Sequence, residues 1–571
     1  MDKFWNFLPD NPDLQSRLSS KLGISDILTK LLVNRVESYD ETDSFLNPQL
    51  KCLHDPFLLK GMTAAVALIR KAASQKKKFL IYGDYDVDGV SSTVLLLKFF
   101  QLLKIEVDYY IPNRVSEGYS FTKPGIEAVL KSGASLLISV DNGISAVDQV
   151  KVMRENGIDV IITDHHEPPE VLPPANVIID PKQKDCPYPF KSLAGVGVAF
   201  KLAWGVAQEF SRSKERVNTE LRGFLLDALA WVALGTVTDL VPMVEENRIL
   251  AKSGIPAIHN SSNPGLLALS DIARNEGVHI SAEDISFRIG PRINAAGRMG
   301  QVEKAVSLFC STDEGEAKEL AQTLDGLNRE RQTIEKLIFS EALSRSRLID
   351  DNAIVLADKA WHPGVIGIVA SRLVEEFGKP SILIALDGNQ GKGSCRSIHG
   401  LDIYKALTRC SDILDAYGGH ALAGGFQIRK NRIDAFRDKI LSIIAEDLSK
   451  SDLRTVLNVD AEIFLSSITR NLLSELDILR PFGEGNPLPI FVSSNLEVAA
   501  PPRIVGRNKS HLVFRVSQGG SEFKAIAFGM ATAKERIERA SSIAIAYTPR
   551  LNLFYGRTSI ELQIKDIKTD K

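Results

Sequence analysis

The chain has 571 residues, of which 44% are hydrophobic and 25% charged, so its composition is that of a globular protein, and its length predicts roughly three or four domains. The formal net charge of −2 argues mildly against a small basic nucleic-acid module, although acidic surface elsewhere can offset a basic groove. Five scattered cysteines without a Cys-x-x-Cys motif argue against a disulfide framework and against a thiolate zinc site.

The N-terminal region, residues 1–50, is predicted to be a mostly helical lead-in. Its first residues, MDKFWNFLPDNPDLQ, carry acids and prolines where a signal peptide needs an apolar core. No apolar run approaches the ~20 residues that a membrane span requires. We therefore expect a cytoplasmic protein that has no membrane segment.

Residues 51–310 contain three apolar runs that each end at polar, ionisable residues. Phe79–Tyr82 precedes Asp84, Asp86 and Asp88; Leu136–Val140 precedes Asp141; and Val160–Ile162 precedes the triplet Asp164-His165-His166. Helix-like segments separate the runs, which indicates parallel βαβ units. In such sheets ligands bind beyond the carboxyl ends of the strands, so the three clusters should share one edge. A fourth run, WVALGTVTDLVP, ends at Asp239 and is expected to add this residue to the same edge.

Carboxylates and imidazoles gathered at one sheet edge would repel one another and lose hydration unless cations offset them. Oxygen ligands with one or two imidazoles suit Mn²⁺ or Mg²⁺ better than structural zinc. Two such ions can activate a water and stabilise a phosphoryl group under attack. We expect His165 to bind a metal, His166 to face the phosphate, and Asp164 to orient one of the rings.

Other interpretations of these residues are possible. A single strand-end Asp is commonly a helix cap or turn former, and an adjacent His pair can simply be solvated. An EF-hand-like calcium loop is a rival interpretation of DYDVDG, but the acid that should end that loop is missing, because Thr93–Leu97 contains none. The recurrence of the clusters favours the metal site.

The remaining elements follow in chain order. Residues 311–348 contain no Pro and are predicted to form one long helix, or two helices that meet at Gly326. Residues 350–449 form a second α/β domain. Residues 455–571 contain about five short alternating runs, which suggest a small barrel.

Several segments resemble the DHH phosphoesterase superfamily, which is named for its Asp-His-His triplet. They are GDYDVDG, VDNG, TDHHE and TVTD. Further segments resemble, within that superfamily, the RecJ family of bacterial single-strand-specific 5′→3′ exodeoxyribonucleases. They are IPNR, PRINAAGRMG, HPGVIGIVASRL, GSCRS, YGGHALAGGF and PFGEGNPLPIF, and the likeness covers nearly the whole chain.

The resemblance implies an α/β fold with a parallel-sheet DHH catalytic domain, a connecting helix, a DHH-associated α/β domain and a C-terminal OB-fold barrel. It also implies metal ligands at Asp86, Asp88, Asp141, His165 and Asp239, with Asp141 as the bridge between two ions. Many smaller DHH enzymes have a metal-binding His where this chain has Tyr82, which is a poor ligand. Asp84 is expected to substitute for it.

Basic and Gly-rich segments are candidates for binding phosphate. Backbone N–H groups in GHALAGGF and GSCRS can approach an anion closely, and Arg114 and Arg396 can clamp one bidentately. The resemblance assigns Arg114, Ser394 and Arg396 to a 5′-terminal phosphate. We expect the further contacts to come from Arg292, Asn294, Arg298 and His420. A solvated arginine or a structural histidine is the alternative at each position.

In the predicted barrel, Pro502–Arg515 contains no acid and carries the basic residues Arg503, Arg507, Lys509 and Arg515. Together with Phe514 and Phe554 they suit a single-strand groove, in which bases stack and phosphates are neutralised. A solvated barrel face is the alternative.

Together, these features predict a two-metal 5′→3′ exonuclease of single-stranded DNA that acts in repair and recombination. We expect a monomer, with single-strand-binding protein and helicases as candidate partners. The alternatives are a DHH phosphodiesterase of oligonucleotides or cyclic dinucleotides and a non-catalytic DNA-binding scaffold. The extra barrel argues against the first, and the intact acidic clusters argue against the second.

Overall fold

A computed structural model describes residues 3–118, 120–211, 217–273, 280–448, 456–506, 508–554 and 557–570. The described helices are α1 (Pro12–Leu22), α2 (Asp26–Val33), α3 (Tyr39–Leu46), α4 (Met62–Ser74), α5 (Val87–Leu102), α6 (Lys123–Lys131), α7 (Val147–Glu155), α8 (Gly195–Phe210), α9 (Thr219–Thr238), α10 (Glu245–His259), α11 (Pro264–Ala273), α12 (Ala282–Asp284), α13 (Gly290–Arg298), α14 (Glu303–Cys310), α15 (Glu314–Ser346), α16 (Ile366–Phe377), α17 (Ile403–Thr408), α18 (Ile433–Leu448), α19 (Arg470–Ile478) and α20 (Lys534–Arg539).

The described strands are β1 (Phe4–Phe7), β2 (Phe79–Tyr82), β3 (Val107–Tyr110), β4 (Leu136–Val140), β5 (Asp159–Thr163), β6 (Val177–Ile179), β7 (Ile354–Asp358), β8 (Ser381–Asp387), β9 (Gln390–Arg396), β10 (Ala416–His420), β11 (Ala423–Arg429), β12 (Val456–Val459), β13 (Ala461–Glu462), β14 (Phe491–Val505), β15 (His511–Gln518), β16 (Ser521–Ala527), β17 (Ile543–Phe554) and β18 (Arg557–Thr569).

The chain divides into two compact units. One contains residues 54–239 and 253–453, and the other contains residues 1–53, 240–252 and 454–571.

The first unit is built on a five-stranded parallel sheet with the order β3-β2-β4-β5-β6. The residues of β2 and β4 are buried throughout, which explains why these strands are continuous apolar runs. The connection from β2 leads to β3 on one side, whereas β4 lies on the other side. The sheet therefore has its switch point between the carboxyl ends of β2 and β4, where ligands bind in open α/β sheets.

The apolar run that ends at Asp239 forms a helix. The prediction that Asp239 follows a strand was therefore wrong. Helix α9 spans 20 residues, and Asp239 is its C-cap. Apolar side chains occupy nearly every position of the run, so periodicity does not separate a buried helix from a strand. Contrary to the sequence analysis, α9 is also long and apolar enough to cross a membrane, but 67% of its most apolar window is buried in the protein, as in the core helix of a soluble protein.

The second sheet of this unit has five strands in the order β10-β11-β9-β8-β7, and only β7 and β8 pair in parallel. Helix α15 precedes it as one uninterrupted helix of 33 residues, with Gly326 inside it. The alternative of two helices that meet at Gly326 is therefore wrong. An added Cβ at Gly326 would meet no atom within 4 Å, which agrees with a position on the outside of the helix.

The other unit contains a closed five-stranded barrel, β14-β15-β16-β18-β17, in which β17 pairs back to β14. Helices α1 and α2 share the barrel's hydrophobic core, through side chains such as Leu18 and Leu31. Polar contacts join the same segments: Arg35 Nη1 lies 3.0 Å from Asp460 Oδ1, and buried Arg248 donates to the carbonyl oxygens of Phe45 and Leu479. The N-terminal helices are thus part of the barrel's own folding unit.

Candidate metal centre and anion site

The acidic residues that follow β2 and β4 converge on one buried centre. Three overlapping groups have ligand atoms within 4.8 Å of one another, and they consist of Asp84, Asp86 and Asp141; Asp88, His165 and Asp239; and Asp141, His165 and His166. The six residues expected as metal ligands therefore lie together, and His166, expected to face the phosphate, lies beside them. Asp141 belongs to two of the groups, and its φ of 61° is a left-handed conformation that is uncommon for a residue with a side chain.

The donor atoms of this cluster fit a metal ion. Asp84 Oδ1, Asp141 Oδ1, His165 Nε2 and Asp239 Oδ2 are buried and make no hydrogen bond. His165 Nε2 lies 3.1 Å from Asp141 Oδ1 and 3.5 Å from Asp239 Oδ2. Buried polar atoms without partners are costly, and a cation among oxygen and imidazole donors would remove that cost.

Electrostatics also favour a cation. Burial and the neighbouring charge of Asp86 raise the pKa of Asp84 well above its usual range, and burial together with Asp88 does the same for Asp141. Burial lowers the pKa of His165 to about 3, so its ring is neutral and can act as a ligand at neutral pH. A divalent ion would allow these acids to ionise.

Local structure positions the ligands. Asp86 caps helix α5, with its Oδ1 accepting from Gly89 N at 3.0 Å. Asp88 accepts from the backbone N–H groups of Gly195 and Val196, at 2.7 and 2.9 Å, where helix α8 begins. A carboxylate at a helix N-terminus is stabilised by the helix dipole.

The local structure of Asp164-His165-His166 explains how two adjacent histidines reach one site. Asp164 accepts from the backbone N–H groups of His165 and His166, at 2.8 and 3.2 Å, and from His166 Nδ1 at 2.7 Å. The chain turns around this carboxylate, and the two ring centroids lie only 4.5 Å apart. Asp164 therefore orients His166, while His165 enters the metal cluster.

Asp180 is an acid of this region that the sequence analysis missed. It follows the end of β6 in VIIDPK, so it repeats the strand-then-acid pattern of the other clusters. Burial, and then the charge of Asp164, raise its pKa to about 8, and its Oδ2 makes no hydrogen bond. The true fourth strand-end acid is thus Asp180, whereas Asp239 comes from a helix.

Tyr82 does not act as a ligand. Its side chain is buried, and its hydroxyl accepts from Thr122 N and donates to Ser120 O. Asp84 lies instead within the cluster, in one group with Asp86 and Asp141, and its substitution for the missing histidine stays a prediction.

An arginine cluster lies beside the metal centre. The charge of Arg114 offsets part of the rise in the pKa of Asp84, and the charges of Arg114, Arg396 and Arg331 add to the effect of burial on the pKa of Arg298. Burial is the main reason that the pKa of Arg298 falls to about 9. The half-buried guanidinium groups of Arg114, Arg298 and Arg396 lie close to one another and indicate an anion site, whereas the guanidinium of Arg331 is paired with Glu335.

Ser394 belongs to the same cluster, because Arg396 Nη1 donates to its Oγ at 3.4 Å. His420 lies within electrostatic reach of both Arg396 and His166. Arg331 was missed, although it follows Asp325 and Asn328 at helical spacing on a buried polar stripe of α15.

Two expected phosphate contacts are less well supported. The guanidinium of Arg292 is held by Asp325, with Nη2 2.8 Å from Oδ1, and it also donates to the carbonyl oxygen of Arg288. Asn294 lies half-buried on the same helix, α13. Of the residues expected from PRINAAGR, only Arg298 enters the arginine cluster.

The barrel residues differ in part from expectation. Phe514 is 1% exposed and fills the barrel core, so it cannot stack a base. Arg507 and the side chain of Phe554 lie outside the described residues. Arg515 forms an ion pair with Glu522, while Arg503 and Lys509 are exposed. An aromatic residue that the sequence analysis missed is Phe528, which is 54% exposed and packs edge-on against His511.

A parallel sheet with this acid and histidine cluster at its switch point defines a metal-dependent phosphoesterase of the DHH class. Residues 78–230 match the DHH family, N-terminal domain, residues 350–446 match the DHHA1 domain, and residues 459–566 match the RecJ OB domain. The chain belongs to the RecJ family.

Its relatives include the single-stranded-DNA-specific exonucleases RecJ of Bacillus subtilis and Haemophilus influenzae. The first is 38% identical, and the match covers 98% of this chain and 70% of the relative. The second is 36% identical, and the match covers 92% and 93%. RecJ of Thermus thermophilus in complex with Mn²⁺ is a similar solved structure, with a TM-score of 0.84 and 29% identity over all of this chain and 80% of that one. The same protein with Mg²⁺ gives a TM-score of 0.79, at 28% identity over all of this chain and 79% of that one.

Proposed function

We propose that this protein is a single-stranded-DNA-specific exonuclease that uses two divalent ions, Mn²⁺ or Mg²⁺, and removes nucleotides from a 5′ end. The observation that carries the proposal is the pairing of two sites in one unit. A buried acid and histidine cluster suits two cations, and the arginine cluster beside it suits a terminal phosphate. The family relationship to single-stranded-DNA-specific exonucleases supports the choice of substrate.

Bound divalent ions would activate a water and stabilise charge on the phosphoryl group. Asp84, Asp86, Asp88, Asp141, His165 and Asp239 would hold them, and Asp141 is best placed to be shared. Arg114, Arg298 and Arg396 would bind the 5′-terminal phosphate, with Ser394 as a further hydrogen-bond partner.

His166 supplies a proton-bearing group beside the metal ligands. Burial alone would lower its pKa, but the hydrogen bond and charge of Asp164 outweigh burial and raise the pKa to about 9. In the metal-free protein the ring is therefore protonated at neutral pH. Its Nδ1 proton is directed to Asp164, so the proton on Nε2 is the one that can serve a phosphate oxygen.

The two alternative functions are not favoured. A dinucleotide phosphodiesterase has no need of the RecJ OB domain at residues 459–566. A scaffold without activity would not need a complete metal cluster.

Cleavage assays test the proposal. A 5′-labelled single strand, a 3′-labelled single strand, a duplex and a dinucleotide are compared with and without Mn²⁺. We expect Mn²⁺-dependent release of label from the 5′ end of the single strand only. Equal cleavage of the duplex, or cleavage confined to the dinucleotide, would contradict the proposal.

The Asp141→Ala variant tests whether Asp141 is a ligand shared by the two ions. A shared ligand holds both ions, so its removal should cost more than the about 100-fold that is typical of outer-shell partners. Single-strand binding should persist, because the arginine cluster is unchanged. Cleavage within tenfold of wild type at saturating Mn²⁺ would exclude Asp141 as a shared ligand.

We also propose that the protein acts as a cytoplasmic monomer in DNA repair and recombination, with single-strand-binding protein and helicases as partners. All five cysteines are unbridged, in keeping with a reducing compartment. Light scattering of the purified protein tests the monomer, and co-purification from cells tests the partners.

A further inference from the structure

Arg114 is fixed on one side by a residue of the metal-binding segment. Its guanidinium carbon lies 4.7 Å from the centre of the Tyr85 ring, which is within cation–π distance. Tyr85 stands between Asp84 and Asp86 in the sequence, so its backbone is continuous with two metal ligands. A Cβ at Gly297 would lie 2.5 Å from Tyr85 O, so helix α13 packs directly against this segment and restricts it.

The turn that carries Arg114 is itself constrained. Asn113 Oδ1 accepts from the backbone N–H groups of Val115 and Ser116, at 2.9 and 3.2 Å. Asn113 Nδ2 donates to Gly300 O at 3.1 Å, which ties the turn to the end of α13. Arg114 therefore sits on a turn that has little freedom to adjust by itself.

The third constraint comes from the second sheet. Lys392 Nζ donates to the carbonyl oxygen of Arg114 at 3.0 Å and to that of Val115 at 3.4 Å. Among the described residues, no carboxylate forms an ion pair with Lys392, and burial, then the charge of Arg114, lower its pKa. A half-buried ammonium that meets only these carbonyl groups is placed to hold the turn.

Lys392 also lies on the same strand as two of the residues expected to bind the 5′-phosphate. It precedes Ser394 by two residues and Arg396 by four on strand β9. Alternate residues of a strand point to the same face, so Ser394 and Arg396 lie on the face from which Lys392 reaches the Arg114 turn. The strand that supplies part of the anion site thus also fixes the turn that supplies the rest.

We propose that Lys392 is a positioning residue, which together with Tyr85 holds Arg114 at a set distance from the metal ligands. This inference rests on the proposed function, in which Arg114 binds the 5′-terminal phosphate. A guanidinium that is already held in its binding position loses less freedom when the phosphate binds, so Lys392 should strengthen binding of the 5′-phosphate rather than speed the chemical step. Lys392 itself need not touch the substrate.

The test compares Lys392→Met, which removes the donor and keeps an unbranched side chain, with Lys392→Arg, which restores a cationic donor. Lys405→Met is the matched control, because the side chain of Lys405 is 80% exposed on α17. Each variant is assayed with Mn²⁺ on two single strands that differ only in a 5′-phosphate or a 5′-hydroxyl group.

For Lys392→Met we expect KM for the 5′-phosphorylated strand to rise about tenfold, the effect of losing a hydrogen bond to a charged group. Its kcat should stay near wild type, and the 5′-hydroxyl strand should be cleaved as before. Lys392→Arg should recover most of the preference for the 5′-phosphate. Lys405→Met should match wild type on both strands.

Equal losses on both strands, or a lower kcat at unchanged KM, would overturn the positioning role. If Lys392→Met unfolds at the assay temperature, Lys392→Gln, whose neutral amide is one bond shorter and loses the charged donor to the Arg114 turn, decides by the same ratio. A wild-type enzyme that cleaves single strands without distinguishing the two 5′ ends would instead refute the 5′-phosphate site. A wild type that cleaves neither strand would refute the proposed function.

Discussion

At the residue scale, the surroundings of the two adjacent histidines separate their roles. His165 is buried between Asp141 and Asp239, and its pKa is lowered to about 3. His166 is half-exposed, and its pKa is raised to about 9 by Asp164 against the opposing effect of burial. In the metal-free protein one ring is thus neutral and the other a cation at neutral pH.

This difference predicts unequal effects of two substitutions. His165→Ala should weaken Mn²⁺ binding and cleavage together, because a buried ligand is lost. His166→Ala should lower turnover by roughly 10²–10⁴-fold, as for a lost proton donor, with Mn²⁺ affinity nearly unchanged. Calorimetric Mn²⁺ titration and single-turnover cleavage measure the two quantities. Equal loss of Mn²⁺ affinity in both variants would contradict this division of roles.

At the element scale, the start of helix α8 supports the metal centre. Gly195 N donates to Asp88 Oδ2, and an added Cβ at Gly195 would lie 2.7 Å from Asp141 Oδ1. Such a contact is too short, so Gly195→Ala should displace Asp141 or the helix. We expect Mn²⁺ affinity to fall about 10–100-fold, which is typical of lost support for a ligand.

Gly223→Ala is the matched control. Gly223 lies inside α9, and an added Cβ there would meet no atom within 4 Å. This variant should bind Mn²⁺ like wild type and should be more stable by roughly 0.5–1 kcal/mol, because Ala favours a helix interior over Gly. Unchanged Mn²⁺ affinity in Gly195→Ala would show that α8 and Asp141 are not coupled.

Arg503, near the end of β14, and Lys509, in the connection from β14 to β15, are exposed basic residues of the barrel, and Phe528 offers an exposed ring next to His511. Each neutralised phosphate contributes about −0.7 to the slope of log affinity against log salt for single strands. Arg503→Glu with Lys509→Glu should therefore flatten that slope by roughly 1.4.

Anisotropy titrations of a long single strand over a range of salt measure this slope. Lys534→Glu with Arg539→Glu, on helix α20, makes the same change of charge outside the β14–β15 connection and should leave the slope close to wild type. If both double variants flatten the slope equally, the effect reflects net charge rather than a binding surface.

The sequence predicted the elements whose pattern is local. Strands β2 and β4 were predicted with the bounds that the structure shows, and the acids after them meet as expected because parallel strands end at one edge. Asp239 was placed on the wrong kind of element, since an apolar run without periodicity fits a buried helix as well as a strand.

Tertiary contacts were beyond the sequence pattern. Apolar and polar residues alternate along β15, as expected for a barrel strand. This alternation does not show which face of the strand points into the core, and Phe514 lies on that face. Arg331 joins the arginine cluster from a helix more than thirty residues after Arg298. The core that the N-terminal helices share with the barrel joins segments more than 400 residues apart, a pairing that no local pattern encodes.

At the scale of the whole molecule, the metal centre ties stability to both pH and metal. In the metal-free protein, burial and mutual repulsion raise the pKa of Asp84, Asp141 and Asp239 well above the usual range, and that of Asp88 to about 7. The folded protein then retains protons that the unfolded chain has lost above about pH 4. Its stability therefore falls as pH rises from about 5 to 8.

Three other groups act in the same pH window. Asp180, whose pKa is raised to about 8, loses its contribution to stability as pH rises, as the acids of the metal cluster do. Stability contributed by His166, whose pKa is raised, is also lost as pH rises toward about 9. His165, whose pKa is lowered, acts in the opposite sense only up to its unfolded value of about 6.5. Five acids and His166 outweigh this single residue, so the metal-free protein should be less stable at pH 8 than at pH 5.5.

Metal should reverse this dependence, because bound cations favour the ionised acids and bind only the folded centre. We expect Mn²⁺ to raise Tm far more at pH 8 than at pH 5.5, where protons compete for the same oxygens. Thermal unfolding in EDTA and in Mn²⁺, at both pH values, measures the difference. Asp141→Asn removes one ionisable acid, so its metal-free form should lose less stability between pH 5.5 and 8 than wild type. An Mn²⁺-induced rise in Tm that is equal at both pH values would mean that the acids are already ionised without metal, and the electrostatic account of the centre would be wrong.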